Sequence, residues 1–303
     1  MKLTNKFSLP DFVVSALTRD DYDAGYASSR SITQLIDAPQ VQILKKEFAD
    51  EMQQDVSDLV WSRFGTGMHK VFELAADPDK YISEERLFFK HLDWNISGQI
   101  DHQEKTSDGI RCGDFKFISA WGVIYGPKIE WVNQLNGYAW LIRHAKNIDV
   151  VKLEVIAILR DWDRRKAGNN NYPDIPIQIV DIPLWDHEQQ DQYMTDRIRL
   201  HQNAELESLK GTGTLPPCSD EERWTKPTTY AVKARTADGK PKKRALRVFE
   251  SILEAEEFLH TKDHTHLIET RPGENTRCVQ NWCMVNKFCR QFQEEEVTKN
   301  DNF

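Results

Sequence analysis

The chain has 303 residues, 39% of them apolar and nine of them tryptophan, which is enough for one large domain or a domain with an appended module. No apolar run approaches the length of a membrane span, and the opening MKLTNKFSLPDF has no hydrophobic signal segment, so neither a membrane-spanning nor a secreted protein is expected. The expected compartment is the cytoplasm, that of a bacterial host if the gene is viral, and a net charge of −8 argues against a partner bound by bulk positive charge.

In chain order, residues 1–58 read as mostly helical, with Ser31-Ile32-Thr33 ahead of an apolar stretch marking a helix start. Residues 60–75 have helical spacing, which puts His69 and Glu73 four apart on one face. Residues 95–101 (NISGQID) and 110–118 (IRCGDFKFI) alternate with period two around the turn-like segment 105–109 (KTSDG). This is a hairpin signature, and it places Asp101 and Asp114 on adjacent strands. Residues 129–144 read as a helix on which Gln134 and Tyr138 share a face. Residues 153–159 (LEVIAIL) form a continuous apolar strand, expected to be central, followed by a polar loop over 163–176 and a strand over 177–182. A strongly polar helix over 186–210 leads to a linker at 211–217. Seven basic residues (Lys233, Arg235, Lys240, Lys242, Lys243, Arg244, Arg247) and one acidic, Asp238, fall between 233 and 247. The centre of that stretch, 237–241 (ADGKP), reads as a hairpin turn. Residues 249–260 read as a short amphipathic helix and 293–303 as a frayed tail. There is no internal repeat, low-complexity tract or P-loop, so ATP-driven unwinding is not expected.

The chemistry-bearing residues fall in one ordered set: Gly65, His69 and Glu73, then Gly98 and Asp101, then Asp114-Phe115-Lys116, then Gln134 and Tyr138. A phosphodiester carries its own negative charge, so its hydrolysis calls for cations that shield the phosphorus and lower the pKa of an attacking water. Asp101 and Asp114 supply hard oxygen ligands for Mg²⁺ or Mn²⁺, and His69 supplies a nitrogen that shifts preference toward Mn²⁺. Two residues apart on a strand, Asp114 and Lys116 face the same side, so the ammonium lines the same pocket. There it could orient the nucleophilic water or stabilise transition-state charge. Gln134 and Tyr138 are expected to point their polar tips at the substrate.

The motifs GTGMHKVFE from Gly65, GQID from Gly98, DFK from Asp114 and QLNGY from Gln134 resemble those of the PD-(D/E)XK nuclease superfamily in its RecB-like exonuclease branch. The third motif has aspartate where many relatives have glutamate. The resemblance covers residues 60–160 and implies a restriction-endonuclease-like core. It implies His69, Asp101 and Asp114 as ligands of Mg²⁺ or Mn²⁺, Lys116 as catalytic lysine, and Gln134 with Tyr138 near DNA. Glu73 stays open between a further carboxylate at the cation and a solvated helix residue. The overall layout is also similar to phage-encoded members, which implies a role in phage DNA recombination or processing.

Three of five cysteines form a C-x4-C-x5-C run, Cys278, Cys283 and Cys289, and Cys218 follows Pro216-Pro217, which holds the chain extended. Four thiolates can hold a [4Fe-4S] cluster. The region is similar to the C-terminal cysteine run of cluster-bearing RecB-like relatives, but it departs in spacing and in the position of Cys218. Structural Zn²⁺ and buried free thiols stay open, and disulfides would need an oxidising compartment. Cys112 is expected as a packed strand residue. The basic stretch holding Lys240, Lys242, Lys243 and Arg244 fits phosphate contacts and fits a solvated, lysine-protected hairpin edge equally.

The expectation is therefore an α/β protein with a mixed central β-sheet flanked by helices and a C-terminal metal-cluster module. Its expected divisions are 1–58, a helical region packed on the core; 59–210, the nuclease core; 211–292, the cysteine module with its basic hairpin; and 293–303, a tail. The expected activity is metal-dependent exonucleolytic hydrolysis of DNA, as single strands or duplex ends. A recombination-protein partner or a homo-oligomer fits that role. Alternatives are a catalytically inactive nucleic-acid-binding module, a structural metal module serving a partner protein, and an endonuclease of the same superfamily.

Overall fold

The computed structural model describes residues 1–19, 28–169, 171–211, 214–236, 238–262 and 265–300 and divides the chain into two units, 1–216 and 217–303. The first unit runs β1 (Lys2–Thr4), α1 (Asp11–Thr18), β2 (Arg30–Ser31), α2 (Ile32–Leu35), α3 (Pro39–Glu47), β3 (Gln53–Asp55), α4 (Val60–Ala75), β4 (Tyr81–His91), β5 (Trp94–Lys105), β6 (Ile110–Ile118), α5 (Ile129–Lys146), β7 (Val150–Leu159), β8 (Ile177–Ile182) and α6 (His187–Lys210).

β5 is the spine of a mixed sheet. β4 runs antiparallel along one of its edges, from the pair Tyr81 and Glu104 to the pair His91 and Trp94. Its other edge is shared: β2 pairs in parallel at Ile96 and Ser97, and β6 pairs antiparallel at residues 102–105. β6 then pairs in parallel with β7, and β7 pairs antiparallel with β8, so the apolar stretch around residues 153–159 is an interior strand. A parallel neighbour requires a crossover, and α5 supplies it. Because the pairing of β5 with β6 ends at His102 and Gly113, Asp101 and Asp114 stand where the two strands fork.

Helices cover both faces. α5 lies on one, with Leu135, Trp140, Leu141 and Ile142 almost fully buried, each worth about 1.5–3 kcal/mol when removed from water. α4 lies on the other, where Phe72 stacks on Phe115 of β6 with ring centroids 4.3 Å apart. Gly98 explains one motif position sterically. A Cβ there would lie 2.8 Å from Leu141 Cδ2 and 3.1 Å from Tyr138 Cε1, so only glycine lets α5 sit this close to β5.

Residues 1–58 differ from the mostly helical expectation. Ser31 does start a helix, with its Oγ accepting from Gln34 N–H and its own N–H donating to Gln34 Oε1. But β1 and β3 form a parallel pair and β2 joins the main sheet. These strands are two or three residues long, too short for a period to register. β4 was also absent from the expected elements, because the charged run Glu84-Glu85-Arg86 interrupts its apolar alternation.

The second unit contains β9 (Thr225–Lys226), β10 (Thr229–Ala234), β11 (Arg247–Phe249), α7 (Ile252–His260), β12 (His266–Arg271), β13 (Glu274–Asn275), α8 (Thr276–Val279) and α9 (Arg290–Asn300). β10 is flanked antiparallel by β11 and β12, with α7 packed over a small core of Val232, Phe249 and Ala255. Phe249 thus ends a strand, and the helix expected from 249 starts at Ile252. The expected tail is corrected too: residues 293–300 are helical. Glu295 explains why, since it pairs with Arg223 and accepts from Asn275 Nδ2 at 2.6 Å, contacts between distant segments that no local pattern encodes. Residues 20–27, Asn170 of the expected loop, 212–213 of the expected linker, Ala237 of the expected turn and 301–303 of the tail lie outside the described residues. Among the described residues no helix is long and apolar enough to cross a membrane.

Candidate metal centre

The fork between β5 and β6 gathers the expected residues together with one that was missed. His69 projects from α4 so that its Nδ1 lies 3.0 Å from Glu84 Oε1 and 3.7 Å from Asp101 Oδ1. Among the described residues, His69, Glu84 and Asp101 form the group able to hold a metal ion, with ligand atoms within 4.8 Å of one another. Two carboxylates and an imidazole are a fitting donor set for Mg²⁺ or, better, Mn²⁺.

The two carboxylates of this group are held from behind. Glu84 Oε2 accepts from Gln99 Nε2 at 2.8 Å, and Gln99 Oε1 accepts from Arg86 at 2.6 Å. Asp101 Oδ2 accepts the Phe115 N–H at 2.9 Å, a bond across the open fork. Glu84 adopts φ +53°, opposite Asp101 in the β4/β5 register. That left-handed conformation disfavours a residue with a Cβ, and no sequence pattern announces it. The available signal was chemical: an acidic pair, Glu84-Glu85, in a segment otherwise rich in strand formers.

Asp114 stands on the strand next to that of Asp101, as expected, but outside the group of His69, Glu84 and Asp101. With 1% exposure it is sealed, and it faces α5. Its Oδ1 accepts from Gln134 Nε2 at 2.9 Å, while Oδ2 forms an ion pair with Lys116 Nζ at 2.6 Å. Lys116 Nζ donates to Gln134 Oε1 at 3.0 Å, so Asp114 and Lys116 do share a face, as their spacing requires. The expectation that Gln134 and Tyr138 point at a substrate is corrected. Both are buried, and Gln134 Nε2 also bonds the Tyr138 hydroxyl at 3.0 Å. Helical spacing put them on one face, but that face is the one packed on the sheet. Together they fix Asp114 and Lys116 from beneath. Glu73 pairs with Lys70 at 2.9 Å and stands outside the cation group.

The charges at the fork are mutually perturbed. Burial pushes the Asp101 carboxyl up to about 7, the Asp114 charge adds to the rise, and His69 and the Phe115 N–H oppose it. For His69, burial works against the imidazolium, but the hydrogen bond to Glu84 and the charges of Asp101, Glu84 and Asp114 outweigh it and raise its pKa. Burial also holds the Tyr138 hydroxyl well above its ordinary value. A divalent cation beside Asp101 would oppose the effects of burial and of the Asp114 charge and favour its carboxylate form.

In the second unit Cys278, Cys283 and Cys289 are buried and Cys218 is half-buried, while Cys112 of β6 is fully packed. Burial, and then the neighbouring Cys283 and Cys289, push the Cys278 thiol up to about 11. Cys289 is raised by burial against the N–H groups of Phe292 and Gln291 at the start of α9. Gln291 also clamps the backbone of Cys218, accepting from its N–H at 2.9 Å and donating to its carbonyl at 3.1 Å. Cys278, Cys283 and Cys289 are near enough for their charges to act on one another, but among the described residues the cysteine sulfurs form no group within 4.8 Å like that of His69, Glu84 and Asp101. In the basic stretch, Lys233 is buried against Glu269 at 2.8 Å, Arg247 lies over Phe249 and Phe258, and Lys240 pairs with Asp238 at 3.6 Å. Lys242, Lys243 and Arg244 are exposed.

No protein-family model and no curated protein matches the chain. Among solved structures, one described as "Crystal structure of SSO0001" is similar at 16% identity, covering 62% of this chain and 84% of that one, with a TM-score of 0.40.

Proposed function

We propose that the chain is a divalent-metal-dependent deoxyribonuclease, an exonuclease of the PD-(D/E)XK superfamily acting in phage DNA recombination or processing. What carries this reading is the meeting of His69, Glu84 and Asp101 around one point, beside an Asp114–Lys116–Gln134 triad. A Mg²⁺ or Mn²⁺ ion held by His69, Glu84 and Asp101 would shield a phosphodiester and lower the pKa of a bound water. Asp114 holds Lys116 in place through their ion pair. Gln134, fixed in turn by Tyr138, accepts one ammonium proton and so sets which direction the remaining N–H groups point. The role assigned to Lys116 is to orient the attacking water and to stabilise the negative charge that grows on the phosphoryl oxygens. Asp101, bonded to the Phe115 N–H, keeps one oxygen for the cation and uses the other to hold the fork at its width.

In the second unit Cys218, Cys278, Cys283 and Cys289 are assigned to a [4Fe-4S] cluster with a structural role, and the exposed Lys242, Lys243 and Arg244 to salt-sensitive phosphate contacts. Digestion of end-labelled single- and double-stranded DNA in Mn²⁺ tests the activity. The parent should release nucleotides, with Lys116→Ala slower by about 100-fold or more; a parent that leaves every end intact contradicts the reading. Persistence of closed circular plasmid under the same conditions separates an exonuclease from an endonuclease. An absorbance band near about 400 nm in anaerobically purified brown protein is expected for thiolate-bound iron, and colourless protein with stoichiometric zinc would replace that assignment.

A further inference from the structure

α4 exposes large side chains beside the metal centre. Trp61 is 55% exposed and Phe64 49%, whereas farther along the same helix Phe72 is stacked on the sheet. From these rings a continuous line of contacts runs to the cation group. The Arg160 guanidinium lies 4.8 Å from the centroid of the Trp61 ring, Trp61 meets Phe64 at 6.4 Å, Phe64 meets Phe117 at 5.9 Å, and Phe117 meets His69 at 6.0 Å. Arg160 is itself exposed, and its backbone N–H donates to Ile118 O at 2.9 Å, tying it to the end of the strand that carries Lys116.

Gly65 and Gly67 lie on the same helix. Each costs about 1 kcal/mol relative to alanine in a helix interior, yet packing demands neither. A Cβ at Gly67 would meet nothing within 4 Å, and one at Gly65 would touch Phe117 at an ordinary 3.6 Å. Bare backbone, an exposed indole, an exposed phenyl ring and a guanidinium over the indole form a surface of defined chemistry. An unpaired base has a free π-face to lay on such rings, and its phosphate is complementary to the cation. A duplex keeps its base faces covered and gains no stacking there. A protein partner would be satisfied by the apolar area but has no use for the cation leading toward a phosphodiester centre.

We infer that Trp61, Phe64 and Arg160 form a stacking platform for a single-stranded polynucleotide, which delivers an unpaired strand to the fork between β5 and β6. The inference rests on the nuclease reading for its purpose, but it is measured by binding alone. The test is fluorescence anisotropy of labelled oligo-dT and of a blunt hairpin duplex with the full-length protein, in Ca²⁺ so that binding is read without turnover. Trp61→Ala and Phe64→Ala should each weaken oligo-dT binding by roughly fivefold or more and leave the duplex within twofold, by order of magnitude. Trp61→Phe should retain most of the affinity, and Arg160→Ala should lower the salt dependence of oligo-dT binding. Oligo-dT bound equally by the parent and both alanine variants overturns the platform. So does a parent dimer that Trp61→Ala/Phe64→Ala converts to monomer with oligo-dT binding unchanged, because the rings would then be a self-association surface. Mn²⁺-dependent digestion by the same proteins keeps the two readings apart. A parent that binds oligo-dT through these rings but cuts nothing contradicts the nuclease and leaves the platform standing; a parent that cuts, with variants that bind normally, contradicts the platform alone.

Discussion

Glu84 holds its side chain at the candidate metal centre from a left-handed backbone position, a conformation that costs a residue with a Cβ about 1–3 kcal/mol and persists where the surroundings over-determine it. Gln99 and His69 supply that restraint through the two carboxylate oxygens. Loss of the outer partners of a metal ligand alone weakens metal binding by about 10–100-fold, so Glu84→Gln should weaken Mn²⁺ binding by about tenfold or more, read by titration calorimetry. Unchanged affinity would remove Glu84 from the ligand set. Gly98→Ala acts at the same scale through sterics. A methyl group 2.8 Å from Leu141 must displace a packed side chain, and overpacking of this kind destabilises by about 1–3 kcal/mol. A urea midpoint equal to that of the parent would show that α5 can move aside freely. The meeting of His69 with Asp101 and of Asp114 with Lys116 was legible because chemistry restricts their types and the motif restricts their order. Glu84 was not, because its role depends on one backbone angle and on the register of β4 against β5.

Among elements, strands that alternate and helices that bury one face were readable from sequence: β5 and β6 around Gly109, the apolar β7, and α6, whose capping box joins Asp186 and Gln189. What escaped was β4, whose charged run breaks the alternation, and α9, which is held by distant partners. The burial of Gln134 and Tyr138 escaped for a related reason, since spacing fixes a shared face of α5 but not which layer that face meets. α6 also carries a pH-sensitive anchor. His201 is buried, and its Nε2 donates to the carbonyls of Leu35 and Asp37 at 3.1 and 3.2 Å, while Arg197 Nε donates to Leu35 O at 2.7 Å. These bonds satisfy carbonyls left open where α2 ends. Burial, with the nearby Arg197 charge, depresses the His201 pKa from 6.5 to about 4. The folded state therefore binds this proton less readily than the unfolded chain. Its contribution to stability is full above pH 6.5, declines as pH falls, and is gone below about 4. Urea midpoints followed across that window should fall less steeply for His201→Gln, which keeps an N–H donor without the titration. Identical slopes would contradict a buried neutral imidazole.

At the level of the whole molecule, the candidate cation group lies within residues 1–216 and the four-cysteine region within residues 217–303. A cluster held at Cys218, Cys278, Cys283 and Cys289 would stabilise the second unit, whose own apolar core around Val232, Phe249 and Ala255 is small. Cys289→Ser, or removal of iron by chelation, should raise amide hydrogen exchange across residues 217–296 while leaving that of β5, β6 and α5 unchanged. Increased exchange in β5 and β6 would contradict a role confined to the second unit. The most direct measurement of the central claim is an anomalous difference map at the manganese edge from crystals of the parent protein grown with Mn²⁺. A peak within bonding distance of His69, Glu84 and Asp101 is the expected result; full Mn²⁺ occupancy elsewhere, with those three side chains bare, would contradict it.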